Sequence, residues 1–157
     1  ELNKMALNLP AGHEINQQDI ETYIGISKDY NIFELQDALT DRNVEKTYRI
    51  LHYFQSNVKE HPLVKVVPTL FSFFSKVYLM HFLRNAPDRE VQKSLGLSTP
   101  YFVRNYRRAA QTFNRRNTEK IIHLLRTYDL KAKGVDRASF TDETLMQEMI
   151  YRILSAK

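Results

Sequence analysis

Tyr30-Asn31-Ile32-Phe33-Glu34-Leu35-Gln36-Asp37-Ala38-Leu39 reads as a capped helix start followed at once by an apolar helix. Asn31 suits the N-cap, because its side-chain oxygen can accept from first-turn backbone N–H groups that have no partner within the helix. Tyr30 before the cap and Leu35 four positions into the helix form a hydrophobic staple, which sets the angle at which the chain enters. The same device recurs at Asn16 between Ile15 and Ile20, at Ser98 between Leu97 and Phe102, and at Thr141 between Phe140 and Leu145. Asp142 and Glu143 then place negative charge in the first turn of the last helix, where the macrodipole favours it by ~0.3–1 kcal/mol. Gly134, following Lys131 and Lys133, closes the helix before it, since a C-terminus suits both cations and a residue free to take positive φ.

Between these marks the apolar residues recur at helical spacing and nothing reads as a strand, so the fold class expected is all-α, a helical bundle. Val44, Tyr48, Leu51, Gln55 and Val58 form one face of a helix beginning near Asn43, widened by Thr47 and Phe54. From Pro62 to about Asn85, Leu63, Val66, Val67, Leu70, Phe74, Val77 and His81 fall on one face, and Phe71, Tyr78 and Phe82 on another. This predicts a central helix buried on two sides, opened by Pro62 and ended by Ala86-Pro87. Pro68 inside it removes the hydrogen bond to the Val64 carbonyl, a loss of ~3 kcal/mol unless offset, and predicts a bend there. Three amphipathic helices follow: Phe102, Tyr106, Ala109, Ala110 and Phe113 line the first. Ile121, Ile122, Leu125, Tyr128 and Ala132 line the second, and Leu145, Met146, Met149, Ile150, Ile153 and Leu154 the third. Residues 1–30, with a short capped helix at 16–25, are too few for a core of their own and read as the end of a preceding domain. The start on Glu1 without a Met suggests a fragment of a longer protein.

Composition narrows the chemistry. The 157 residues are 43% apolar and 26% charged, an ordinary globular balance, and include no Cys. Disulfides and thiolate metal sites are therefore excluded, and a reducing cytoplasm is the expected setting. No uninterrupted apolar run of about 18 residues is present, so no membrane partner is expected. The four Gly, at positions 12, 25, 96 and 134, cannot cradle a phosphate, and no G-x-x-x-x-G-K-[ST] occurs. His13, His52, His61, His81 and His123 lack metal-ligand spacing, and no nucleophile elbow or paired carboxylates appear. The expectation is a non-enzymatic piece with no cofactor, no metal and no catalytic residue.

A net charge of +5 raises nucleic acid as a partner, although 23 basic residues against 18 acidic ones is a modest excess. Asp88 to Ser98 reads as a short helix and a Leu-Gly-Leu-Ser turn, followed by a helix carrying Arg104, Arg107, Arg108, Gln111, Arg115 and Arg116. That order suits a helix-turn-helix DNA reader, whose basic second helix would meet phosphates. A solvated helix face accounts for the same stripe better, and a surface for an acidic protein partner is the third reading. A second constellation, Phe71-Ser72-Phe73-Phe74 with Tyr78 and Phe82, has only Lys65 and Lys76 nearby. Core packing or a subunit interface accounts for it better than base stacking does.

Taken in order, these elements resemble the C-terminal part of the bacterial DNA polymerase III delta subunit, which is a clamp-loader protein. In that family a segment like Asn31 to Leu39 leaves a small AAA+ lid and begins a helical collar. Arg49-Ile50-Leu51, the Pro-Leu step of His61-Pro62-Leu63, Leu95-Gly96-Leu97-Ser98-Thr99-Pro100-Tyr101-Phe102-Val103 and Asp129-Leu130-Lys131-Ala132-Lys133-Gly134 follow in the family's order. Departures are Pro68, the aromatics at 71–74 where other members tend to carry Arg-Gln-Phe, and the fragmentary lid. The resemblance implies an AAA+ lid remnant at 1–30 and a collar at 31–157. The collar would join other clamp-loader subunits of the gamma/tau and delta prime types, with the sliding clamp held by an N-terminal module upstream and DNA met only indirectly. It also implies a role in DNA replication within a DNA polymerase holoenzyme, a nucleotidyltransferase, this subunit being no ATPase itself. Helix-turn-helix regulation is the alternative. Phe33, at the joint, is expected to pack against the collar, so that Phe33→Ala costs ~3–5 kcal/mol if the ring is buried.

Overall fold

The computed structural model describes residues 30–156. Among them are seven α-helices and one 3-10 turn, with no strand. The helices are α1 (Ile32–Thr40), α2 (Val44–Ser56), α3 (Leu63–Met80), α4 (Asp88–Leu95), α5 (Val103–Thr112), α6 (Arg115–Ala132) and α7 (Asp142–Ser155), the 3-10 turn being Pro100–Phe102. The Asn16 cap, the helix at 16–25 and His13 lie outside the described residues.

Most helix ends follow from local chemistry. Asn31 Oδ1 accepts from the backbone N–H of Phe33 at 2.9 Å and of Glu34 at 3.1 Å. Asn43 opens α2 by accepting from Lys46 N–H, and Thr141 opens α7 by accepting from Thr144 N–H. Ser98 is not a cap. Pro100, with φ already set for a helical turn, starts the 3-10 turn instead, and α5 proper begins at Val103. Gly96 (φ +59°) and Gly134 (φ +91°) end α4 and α6 in the left-handed region. At both, the glycine's own N–H and the next one return to carbonyls of the last turn, as in Leu97 N–H to Gln92 and Val135 N–H to Leu130, both 2.9 Å.

α3 is the central helix and packs most extensively along α6, with α1, α4, α5 and α7 also against it. Leu63, Val66, Val67, Leu70, Phe73, Phe74, Val77 and Met80 are buried along it. It stops at Met80, short of the expected Asn85, because the chain tightens into successive three-residue turns (Leu83 N–H to Met80, Ala86 N–H to Leu83). The second face is open rather than buried: Phe71 and Phe82 are exposed and Tyr78 is half-buried. α3 runs unbroken through Pro68, which lies on its exposed side. Its mean hydropathy of 1.4 and 18 residues would suit a membrane span, but its apolar side is the bundle core.

The buried seam of α2 is rotated from the expected one. Thr47, Ile50, Leu51 and Phe54 are buried, at i, i+3, i+4, i+7 spacing, whereas Val44 is exposed. Thr47 is tolerated inside because its hydroxyl donates to the Asn43 carbonyl at 2.8 Å. α7 buries Leu145, Met146, Met149, Ile150 and Ile153 as expected, with Leu154 half-buried. A smaller cluster of Met80, Val91, Leu95 and Val103 holds α4 to the ends of α3 and α5.

Phe33 departs furthest from expectation. Its ring is 67% exposed, while Leu35 and Leu39 on the other side of α1 are fully buried. The helix presents positions 35 and 39 to the core, and position 33 points about 160° from 35 around the axis by the helical repeat of 3.6 residues per turn. Phe33→Ala is therefore expected to lower unfolding free energy by less than about 1 kcal/mol in urea titrations. A loss near the ~3–5 kcal/mol of a buried ring would contradict the exposed placement.

Candidate nucleic-acid and partner surface

The five arginines expected on one helix lie on two. α5 ends at Thr112, Phe113 is extended, and Asn114 caps α6 by accepting from Asn117 N–H at 2.9 Å, so Arg115 and Arg116 stand in the first turn of α6. The break was readable as Phe113-Asn114, but the staple position four residues on is Thr118, a polar residue. Thr118 is buried, its hydroxyl donating to the Asn114 carbonyl at 2.9 Å.

Three of the five serve the bundle. Arg107 donates to the carbonyls of Arg84 (2.8 Å) and Ala86 (2.7 Å) and to Asp88 Oδ1 (2.8 Å), fastening the turns after α3 to α5. This guanidinium takes up the carbonyls that a longer α3 would have used. Arg108 reaches back to α1, pairing with Asp37 at 3.1 Å and Asp41 at 3.4 Å. Arg115 lies 3.7 Å from Glu119 and 6.0 Å over the Phe82 ring, and Glu119 in turn accepts from the Tyr78 hydroxyl at 2.9 Å. That bond, with burial, holds the Tyr78 phenol above its ordinary range. Arg104 and Arg116 are exposed and form no ion pair among the described residues.

α4, the Gly96 turn and α5 keep the order of a helix-turn-helix. Reading bases, however, needs long side chains free to reach base edges from the second helix. Arg107 and Arg108, the central cations of α5, are committed to carboxylates and carbonyls. The remaining two free guanidiniums sit on different helices.

The histidines stay scattered. His61 stacks on Phe54 at 4.0 Å, and His52 and His123 are exposed. His81 follows α3 with its Nε2 buried and without a partner among the described residues, and burial, only partly offset by the Phe113 backbone, holds the imidazole below its ordinary range. Among the described residues no three His, Asp or Glu gather as metal ligands.

Sequence reasoning missed one further feature. Between α1, α3 and the segment from Gly96 to Tyr106 lies a cavity of about 630 Å³ walled by Phe33, Phe73, Tyr101, Phe102 and Tyr106. Its rings come from three separate stretches of chain, so no local pattern announces it.

The family model for the C-terminal domain of the DNA polymerase III delta subunit matches residues 29–153. No curated protein sequence matches the chain significantly. Among solved structures, the Bacillus subtilis DNA clamp loader delta protein is similar, with a TM-score of 0.65 and 18% identity over 98% of this chain and 44% of that one. At that identity the likeness is one of fold, and the chain spans less than half of that protein's length.

Proposed function

The chain belongs to the family formed by the C-terminal domains of DNA polymerase III delta subunits, a clamp-loader component in DNA replication, and from that premise we propose that residues 31–157 act as the collar that holds this protein among its neighbours. The observation that carries the reading is the extent of the family match, which takes in every described helix except the last two residues of α7. Residues 1–30 would then be the end of an AAA+ lid. The neighbours would be gamma/tau-type and delta-prime-type subunits in the cytoplasm, with the sliding clamp and DNA engaged elsewhere in the assembly.

Surface chemistry supports an assembly role. Val64, Phe71, Leu79 and Phe82 are large apolar side chains left exposed along α3 and just beyond it. Several large apolar side chains left in water along one helix suit a protein contact. Of the five arginines, Arg104 and Arg116, which pair with no carboxylate among the described residues, are the ones available to acidic side chains of a neighbour. Arg107, Arg108 and Arg115 hold the bundle instead.

Native mass spectrometry of the protein mixed with the other loader subunits tests this. A stoichiometric complex is expected, and Phe71→Asp with Phe82→Asp should weaken it while the bundle stays folded, since both rings are exposed. Failure to join the complex would overturn the reading. Duplex DNA supplies the counter-test: a regulator with five phosphate contacts gives a slope of about −4.5 in log K against log salt. The collar alone is expected to bind duplex DNA too weakly to measure such a slope.

A further inference from the structure

We propose that the aromatic cavity between α1, α3 and the Gly96–Tyr106 segment is a docking site for an extended, acidic and apolar peptide segment of a partner protein. One large apolar side chain of the segment sits among the rings, its main chain pairs with Gln36 and Asn105, and a neighbouring carboxylate meets Lys76. The inference goes beyond the collar reading and does not depend on it.

The walls come first. Tyr101 is 79% exposed, Phe33 67% and Phe102 42%, three large rings held at the surface around one opening. Behind them Phe73 and Tyr106 form a floor, their ring centroids 5.5 Å apart. Rings left in water at this density are uncommon away from contact sites, because burying each would be favourable. A volume of about 630 Å³ lies within the range of sites that enclose a ligand group.

The polar groups in the lining point to a peptide. Gln36 is 8% exposed and lines the cavity, yet its carboxamide makes no hydrogen bond within the described residues. Its polar atoms are not sealed from solvent, since the buried side-chain atoms without a partner among the described residues are His81 Nε2 and the Tyr128 hydroxyl, so a ligand in the cavity can pair with this amide without breaking an internal bond. Asn105 and Lys76 line the same cavity, also without a hydrogen-bond or ion-pair partner among the described residues. Two carboxamides each offer a donor and an acceptor, which matches the alternating N–H and C=O of extended main chain.

Charge selects an acidic segment. Asp37, the carboxylate in the lining, is answered by Arg108 at 3.1 Å, whereas Lys76, also in the lining, pairs with no carboxylate among the described residues. Single-stranded nucleic acid also stacks on aromatic rings, but it needs a track of cations along its backbone, and the lining holds one.

The test is nuclear magnetic resonance titration of the chain with the acetylated, amidated peptides Glu-Leu-Phe-Glu and Glu-Phe-Leu-Glu. Controls are Lys-Leu-Phe-Lys, Glu-Gly-Ser-Glu and an oligothymidylate. The acidic apolar peptides are expected to shift the amides of Gln36, Lys76, Tyr101 and Asn105 together. Lys76→Met and Tyr101→Ser, both at surface positions that leave the fold intact, should each weaken binding by about tenfold, the effect of one charge-assisted or aromatic contact. Four results overturn the proposal: no shifts with either acidic peptide at on the order of 1 mM, equal binding of the basic control, binding that survives Tyr101→Ser, or tighter binding of oligothymidylate at the same residues. Each is distinguishable from failure of subunit assembly, which the peptide titration does not involve.

Discussion

Phe74→Ala is expected to lower the unfolding free energy by ~3–5 kcal/mol, the largest single loss available in the bundle. Phe74 is fully buried at the centre of α3. Its ring meets Phe73 at 5.2 Å and 78°, and Phe113 at 5.2 Å and 85°, both edge-to-face. Truncation thus removes the buried area of one ring and two favourable aromatic contacts, and leaves a cavity beside Phe73 and Phe113 that close-packed helices cannot fully close. For a chain of this size the melting temperature should fall by roughly 6–20 °C, given about 2–4 °C per kcal/mol. Phe74→Leu keeps most of the volume and should cost less than ~1.5 kcal/mol. Urea titrations of the three proteins check this, and an Ala variant within ~1.5 kcal/mol of the parent would show that the ring is not the centre of the core.

Arg42→Ala is expected to cost ~2–4 kcal/mol although the residue is only half-buried and lies in a turn. Its guanidinium donates to the carbonyl of Leu154 at 2.8 Å and of Ala156 at 2.9 Å, and lies 5.1 Å over the Phe113 ring. Those carbonyls end α7, where they have no partner within the helix and where the macrodipole favours a cation. Arg42 also holds φ +50° at the end of α1, with Arg42 N–H returning to Leu39 and Asn43 N–H to Ala38. Glycine is the usual residue for that bond pattern. An arginine there accepts backbone strain of ~1–2 kcal/mol in exchange for tying the first described helix to the last.

Three variants separate the two contributions. Arg42→Gly relieves the strain and loses the bonds, so it should be about 1 kcal/mol more stable than Arg42→Ala and still below the parent. Arg42→Lys keeps the charge but cannot bridge two carbonyls with a planar fork, and should lie close to the Ala variant. Parent-like stability of the Lys variant would sink the bidentate account. Hydrogen exchange should show the last turn of α7 opening more readily in all three.

Local chemistry made a large part of this fold legible. The Asn31, Asn43 and Thr141 caps and the glycine at the end of α6 depend on contacts within about five residues, and the apolar seam of α7 follows from its own helical period. Phe113-Asn114 lacks the staple signal because a polar Thr118 takes the place of the apolar partner, and α3 is shorter than expected because Ala86-Pro87 is the first breaker the sequence offers after it, whereas the chain already tightens into turns beyond Met80. The arginine stripe shows the limit most plainly. Arg107 and Arg104 look alike in the sequence, yet one is held by Asp88 and two carbonyls while the other is free. Asp142 is similar: besides standing in the first turn of α7 it pairs with Arg137 at 2.6 Å. It also accepts from Leu63 N–H at 3.2 Å, supplying the cap that Pro62 cannot give α3.

What the sequence determined by itself is the kind of elements, most of their ends and the family, because capping, helical periodicity and motif order are properties of neighbouring residues. The tertiary structure decided which side of each helix is covered, which arginines remain free and where the aromatic rings gather. Periodicity places side chains relative to one another around a single helix axis, but it does not say what lies opposite them. That is set by the packing of α3 against α6 and by groups such as Arg42 and Asp142, whose partners stand more than 75 residues away in the chain.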